Sequence, residues 1–494
     1  MKRRFCNFLE FRKESSALLL RNLTLVFQYY SITKITSNKL VELANSLDAS
    51  VNTFFTEKEL NQLAKDTGFV RREGKINGSL FLALVVFNSE NLKEQSLNDL
   101  SILLNDRNGI DITKQSLHDR FNENALLFLK DALEKLLRKQ VSIKQSVFFN
   151  CKEFRRILIK DSTCFQIDES LAQYYPGSGG SGSKASVRIQ FEYDILSGEI
   201  NDLSLNAFND QDAKDSVATI ELTKEGDLII RDLAYMNIKA LQLIVESMAF
   251  FLCRANPNTY IYEIDGDEYK KIDFAKITAF MKGNGLGSME KTVYLGNKEK
   301  FRVRLIIYLI PEQEAAKRLR NAVQNNKKKG GDGNLSKEYK ARAYLNLFIT
   351  NASEEQIPID HVWQLYRLRW QIELIFKIWK SICDIEKVKK VKKHRLECYI
   401  ISKLILIVLG WKVMWSVAKQ LFIREGKVLS FFKASKTLLR TKISELREVF
   451  LKRSLSLTNF IVRFYEISRS NHILEKKKDE PTSMELLLSF VTMR

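Results

Sequence analysis

Up to about Val141 apolar residues recur at three- and four-residue spacing with little alternation, so residues 1–150 are predicted to be helical. Two helix starts carry capping chemistry. Thr56-Glu57-Lys58-Glu59 has capping-box form with Gly68 placed to end the helix, and Ser96 is placed to cap a helix running toward Asn105. Beyond a turn at 107–111, Thr113 caps a second helix over 114–121. The pair outlines a helix-turn-helix with Lys114, Gln115, Ser116 and Arg120 toward a DNA groove. On this pattern alone an ordinary helical hairpin with a solvated polar face has the better odds.

Near residue 150 the texture changes to short β-rich runs bounded by Gly, Asp and Asn. These are 154–160 (FRRILIK), 186–193 (SVRIQFEY), 200–206 and 228–230, with a helix over 212–222. A helix over 237–249 and a strand over 259–264 follow. The β-β-β-α-β-α-β order predicts a mixed sheet covered by helices, an α/β arrangement spanning 151–264. Residues 265–350 read as a β-rich insertion, with strands over 292–295 and 301–309 (FRVRLIIYL), a charged helix from Pro311 and a basic loop over 327–333. A long charged helix begins near Ile359 within 351–395, and 396–494 is almost wholly helical, a candidate dimerisation region.

Composition narrows the function classes. Lys plus Arg total 79 against 59 for Asp plus Glu, a net charge of +20, which makes a polyanion the expected partner, nucleic acid first and an anionic membrane second. The basic start Met1-Lys2-Arg3-Arg4 is followed by Asn7, Glu10, Arg12 and Lys13 rather than an apolar run. No secretory signal is read, and a cytoplasmic location is expected. The apolar stretch 399–418 contains Lys403 and Lys412 and reads as a buried helix, so no membrane partner is expected. The six cysteines are scattered without a Cys-x-x-Cys pair. His118, His361, His394 and His472 lack ligand spacing, so any catalytic metal must sit on carboxylates.

The segment 366–380 holds the most informative pattern. At about 100° per residue, Tyr366, Arg369, Glu373 and Lys380 share one helix stripe, while Leu368, Ile372, Ile375 and Trp379 supply apolar packing. Alone, Glu373 reads as the i+4 partner of Lys377. Asp161 and Asp232 change that balance, because each follows a hydrophobic strand at the end where open α/β sheets carry chemistry. If strands one and four are neighbours, the two carboxylates meet and the later helix adds a third. Three such groups can hold two divalent ions about 3.5–4 Å apart for in-line phosphoryl displacement, and oxygen-only ligation favours Mg²⁺ or Mn²⁺.

The ungapped Tyr-x₂-Arg-x₃-Glu-x₆-Lys pattern of Tyr366, Arg369, Glu373 and Lys380 resembles that of the DDE transposases of the IS-four group of bacterial insertion sequences. Supporting similarity lies in 113–129, Asp161-Ser162-Thr163, the 176–180 turn, Asp232-Leu233-Ala234-Tyr235, 251–254 and 347–351. The resemblance implies an RNase H-like core with a β-rich insertion before the Glu helix, flanked by DNA-binding and dimerising regions. It implies metal ligation by Asp161, Asp232 and Glu373, and phosphate contacts by Tyr366, Arg369 and Lys380. It implies water-driven release of a 3′-hydroxyl at double-stranded element ends, followed by its attack on target DNA within a homodimeric synaptic complex in the bacterial nucleoid.

Some members of that group cut the second strand through a hairpin with a base flipped onto an aromatic side chain of the insertion. All five Trp residues here, at 363, 370, 379, 411 and 415, follow the insertion, which leaves Tyr294, Phe301 or Tyr308, each more simply read as sheet packing. The glycine-serine run 177–184 lacks phosphate-loop spacing and reads as a turn, with Lys184 and Arg188 as candidate DNA contacts. The basic run 387–395 suits either solvation or phosphate tracking. Two competing readings are an RNase H-like structure-selective nuclease that cuts without joining and a non-catalytic transposase-derived DNA-binding protein.

Overall fold

The computed structural model describes residues 55–88, 96–138, 153–178, 184–210, 212–235, 237–255, 259–449 and 457–475. The basic N-terminal start, Cys6, Cys151 and residues 179–183 of the glycine-serine run lie outside them. Before the sheet come α1 (Glu57–Asp66), α2 (Gly78–Val86), α3 (Leu97–Asn108), α4 (Lys114–Arg120) and α5 (Glu123–Arg138). Both expected starts carry full capping boxes, Thr56 with Glu59 and Ser96 with Asp99, each satisfying backbone donors that a helix end otherwise orphans. Gly109 closes α3 at φ 64°, in the left-handed region where a Cβ is strained.

Ten strands form one sheet: β1 (Arg156–Gln166), β2 (Ser186–Asp194), β3 (Ile200–Ala207), β4 (Asp227–Arg231), β5 (Phe250–Arg254), β6 (Ile261–Asp265), β7 (Glu268–Lys271), β8 (Ser288–Leu295), β9 (Phe301–Leu309) and β10 (Leu345–Thr350). Their spatial order is β3-β2-β1-β4-β5-β10-β9-β8-β6-β7. β1, β4 and β5 run parallel, and the other neighbours pair antiparallel. Strands β6 to β9 therefore extend the core sheet through β9 and β10.

Four expectations change. The fifth core strand is β5 at 250–254, and the segment expected as that strand, 259–264, is largely β6 near the far edge. The helix before β5 stops at Glu246, and Met248 turns the chain at φ 54° without the glycine that usually marks such a reversal. β1 does not end before Asp161 but runs on to Gln166 against β2. The helix from Ile359 is two helices, joined by a tighter turn in which the amides of Leu368, Arg369, Gln371 and Ile372 each bond the third residue back.

The remaining helices are α6 (Asp212–Ala218), α7 (Ile238–Glu246), α8 (Phe274–Asn284), α9 (Glu312–Lys328), α10 (Lys337–Arg342), α11 (Ile359–Arg367), α12 (Trp370–Ser381), α13 (Lys393–Glu425), α14 (Phe431–Lys436), α15 (Ile443–Arg447) and α16 (Leu457–Asn471). One hydrophobic core runs continuously from α1–α5 through β1–β3 to α12, α13 and the helices beyond. A second core, with Phe251, Ile277, Met281, Val293, Ile307 and Leu347, covers the other face toward the insertion.

Residues 393–422 are long and apolar enough to cross a membrane, and 83% of their most apolar window is buried inside this fold. Full burial of a Leu or Ile there contributes roughly 1.5–3 kcal/mol. Lys403 and Lys412 end on carbonyls, Lys403 on Asp384 and Lys387 and Lys412 on Leu136, and burial pushes the Lys412 amine down to about 6. Trp411 of the same helix donates to the Gly198 carbonyl and packs on Phe191 and Tyr193.

Candidate active site

The parallel pairing of β1 with β4 ends at Lys160 opposite Arg231. The next residue on each chain is a carboxylate, Asp161 and Asp232. Successive strand side chains alternate faces, so Lys160 and Asp161 leave the sheet on opposite sides. The third carboxylate, Glu373, sits in the first turn of α12. That helix is seated by Phe376 and Trp379 against Phe191 at ring distances of 6.3 and 4.9 Å. Phe191 faces Asp161 across the β1–β2 ladder, so the apolar contact that docks α12 also brings Glu373 to Asp161.

Arg369, at the tight joint between α11 and α12, lies among all three. It donates to Asp161 Oδ2 at 3.2 Å and to Glu373 Oε1 at 2.7 Å, and its Nε lies 4.0 Å from Asp232 Oδ1. Tyr366 donates its hydroxyl to Asp232 Oδ1 at 3.2 Å. Lys380 donates to the Cys164 carbonyl at 3.3 Å and lies 3.8 Å from Glu386. Asp161, Ser162, Thr163, Glu373, Lys377, Lys380 and Glu386 line an open cleft of about 520 Å³.

Three carboxylates face one guanidinium, an excess of two negative charges at the centre when all three are ionised. Burial pushes the Asp161 carboxyl up to about 6, opposed by the Ser162 amide and Arg369 and reinforced by Asp232 and Glu373. Burial works against the charge on Arg369, but Asp232, Tyr366, Glu373 and Asp161 outweigh it and hold the guanidinium firmly protonated. Burial and Asp232 push the Tyr366 phenol up, so it remains a neutral donor.

An oxygen-only donor set with a deficit of two charges suits a hard divalent cation. Among the described residues no three ligating groups stand close enough to grip an ion, and the Arg369 guanidinium lies between Asp161 and Glu373. Donor chemistry and charge fit the ion, provided that Arg369 gives way.

A profile for the transposase DDE domain matches residues 152–409, more than half of the 494. The chain belongs to the DDE transposase family. It is similar to the transposase for insertion sequence element IS231F of Bacillus thuringiensis subsp. israelensis, at 30% identity over 442 residues, covering 86% of this chain and 92% of that protein. The transposase for element IS231B of Bacillus thuringiensis subsp. berliner is 29% identical, covering 85% and 91%. The transposase for element IS1151 of Clostridium perfringens is 30% identical, covering 78% and 84%. The protein is thus an insertion-sequence transposase, an enzyme that cuts and transfers DNA in a family that depends on divalent metal.

The transposase presents its other sequence-predicted contacts unequally. Arg188 does not face outward as expected: it turns inward to pair with Asp212 at 2.6 Å and donates to Ser162 Oγ and the Phe208 carbonyl. Its strand alternates Arg188, Gln190 and Glu192 as a solvent face would, but α6 covers that face. Lys184 is exposed beside Glu169. Lys114 and Gln115 are exposed on α4, with Gln115 donating to Asp119, whereas Arg120 lies over the Phe69 ring. Tyr294, Phe301 and Tyr308 pack against Tyr269, Phe251 and Phe348 respectively. Gln190, Asp212, Tyr235 and Glu386 were given no role from sequence, although Tyr235 stands in the Asp232-Leu233-Ala234-Tyr235 match and Asp212 opens a helix, an ordinary place for Asp.

Proposed function

We propose that Asp161, Asp232 and Glu373 hold two divalent cations, Mg²⁺ or Mn²⁺, and that the transposase uses them to cut at inverted-repeat ends and join the freed 3′-hydroxyl to target DNA. The convergence of three carboxylates, remote in sequence, around one guanidinium carries this reading. When bound, the cations supply the charge that activates the attacking hydroxyl and stabilises the leaving oxygen.

The chain's own residues then hold the substrate. Arg369, freed from the carboxylates, offers a fork of donors to nonbridging phosphate oxygens, on which charge gathers in the transition state. Lys380 supplies a flexible point charge on the cleft wall, and the neutral Tyr366 hydroxyl donates to a phosphate rather than attacking it. Exposed Lys184, Lys114 and Gln115 extend the contact along double-stranded DNA, as the +20 charge favours. Pairing of two ends calls for a homodimer in a synaptic complex, with 1–150 binding ends, 396–494 joining protomers, and the whole working at the nucleoid in the cytoplasm.

The test combines Mg²⁺, labelled element ends and a supercoiled target. Joined products are expected, and they vanish in Asp161→Ala, Asp232→Ala and Glu373→Ala. Cutting without joining would favour the structure-selective nuclease, and end binding without cutting the non-catalytic binding protein.

A further inference from the structure

Among the described residues the β1–β4 pairing ends at Lys160 and Arg231, just before Asp161 and Asp232. A different set of groups connects them from behind. Ser162, next to Asp161 but on the opposite face, accepts from Arg188 at 3.0 Å. Arg188 is held by Asp212 of α6 at 2.6 Å, and the same Asp212 oxygen accepts from Gln190 at 2.9 Å. Gln190 in turn accepts from the Tyr235 hydroxyl, three residues after Asp232. Gln190 is fully buried and Tyr235 is 2% exposed, so their hydrogen bond is shielded from water, where it is strongest, while Ser162, Arg188 and Asp212 are half-buried.

We infer that this partly buried bridge, Ser162–Arg188–Asp212–Gln190–Tyr235, sets the separation of Asp161 and Asp232 and so tunes the affinity of the transposase for its divalent ions. The inference rests on the metal-site reading above. Ser162 also lines the cleft beside Asp161, whereas Arg188, Asp212, Gln190 and Tyr235 stand behind it and act as positioning residues. Arg188 and Gln190 both stand on β2, with Gln190 opposite Ser162 in the β1–β2 ladder, and one Asp212 oxygen holds the two side chains together, Arg188 reaching Ser162 and Gln190 reaching Tyr235.

The test uses the full-length protein with Asp212→Asn, which keeps shape but removes the charge holding Arg188, and Tyr235→Phe, which keeps the ring but removes the hydroxyl. Mn²⁺ binding is measured from the free-ion paramagnetic resonance signal without DNA, beside the Mg²⁺ concentration for half-maximal end cutting. Loss of a group hydrogen-bonded to a metal ligand typically weakens metal binding by about 10–100-fold, and the bridge, which reaches the ligands only through the backbone, acts at the low end of that range. Mn²⁺ binding is expected to weaken about tenfold or more in Asp212→Asn and several-fold in Tyr235→Phe. The Mg²⁺ midpoint should rise in step, excess Mg²⁺ should restore cutting, and end binding should stay within about twofold.

Unchanged Mn²⁺ binding in both variants overturns the inference. So does a loss of cutting that excess Mg²⁺ fails to restore, the mark of a merely structural role. Asp161→Ala separates the two readings. If it too leaves Mn²⁺ binding intact, the metal-site reading falls and the bridge with it; if it alone loses Mn²⁺, only the bridge is refuted.

Discussion

Two charged clusters lie back to back on the sheet, built from neighbouring residues. Lys160 and Arg231 point to one face, and Asp161 and Asp232 follow them in sequence. On the first face Lys160 lies within 2.8 Å of Asp202 and 2.6 Å of Asp215, while Arg231 pairs with Glu192 at 3.1 Å and bonds Ser216. Burial acts against the Glu192 charge, but Arg231 and Lys160 outweigh it and hold its carboxyl below the ordinary range. That cluster is sealed. On the other face three carboxylates share one guanidinium beside an open cleft. Neighbouring charges thus take opposite roles: where partners nearly balance and water is excluded, charge fixes the sheet, and where charge is left over beside a cleft, it binds.

The largest expected effect lies on the open side. Asp161→Ala, Asp232→Ala or Glu373→Ala should abolish cutting in a Mg²⁺ gel assay, leave end binding largely intact, and leave the thermal midpoint unchanged or higher, because each relieves like-charge repulsion. Lys160→Met makes the opposite case. It strands buried carboxylates, and denaturant unfolding should show a loss of about 3–5 kcal/mol. A stable Lys160→Met protein would erase the contrast between the two faces.

Arg369→Ala sharpens the contrast from the middle. Without the guanidinium the metal-free carboxylates repel, so Mn²⁺ should bind more tightly while end binding weakens, with the salt slope of affinity shallower by about 1. Wild-type affinity for the ends should itself fall steeply between low and moderate salt, and a flat curve in a shift assay would count against phosphate contacts. The smallest effect belongs to Lys184→Ala. Its exposed side chain already pairs with Glu169, so about a twofold loss of end binding is expected.

Much of the open face was legible before folding. The four-residue stripe from Tyr366 to Lys380 and the two aspartates that follow hydrophobic strand runs need only local spacing and the rule that chemistry collects at strand ends, although β1 runs past Asp161 to Gln166. Even so, the tight joint at Leu368–Arg369 was invisible, because nothing in Leu-Arg-Trp breaks a helix by propensity. The sealed face was not legible at all. Arg188, Gln190 and Glu192 alternate with apolar neighbours as a solvated strand does, and only the placement of α6 above them turns that polar face into an interior. β5 was missed for a similar reason: the run 249–253 is apolar in either a helix or a strand, and Met248 makes its reversal without glycine.

Replacing Mg²⁺ with Fe²⁺ and adding peroxide and ascorbate generates hydroxyl radicals at the bound ion, which break the nearby backbone. The account predicts three sets of fragments, from breaks beside residues 161, 232 and 373, all suppressed by excess Mg²⁺. Breaks confined to one of these segments, or clustered elsewhere in the chain, would contradict a shared metal centre.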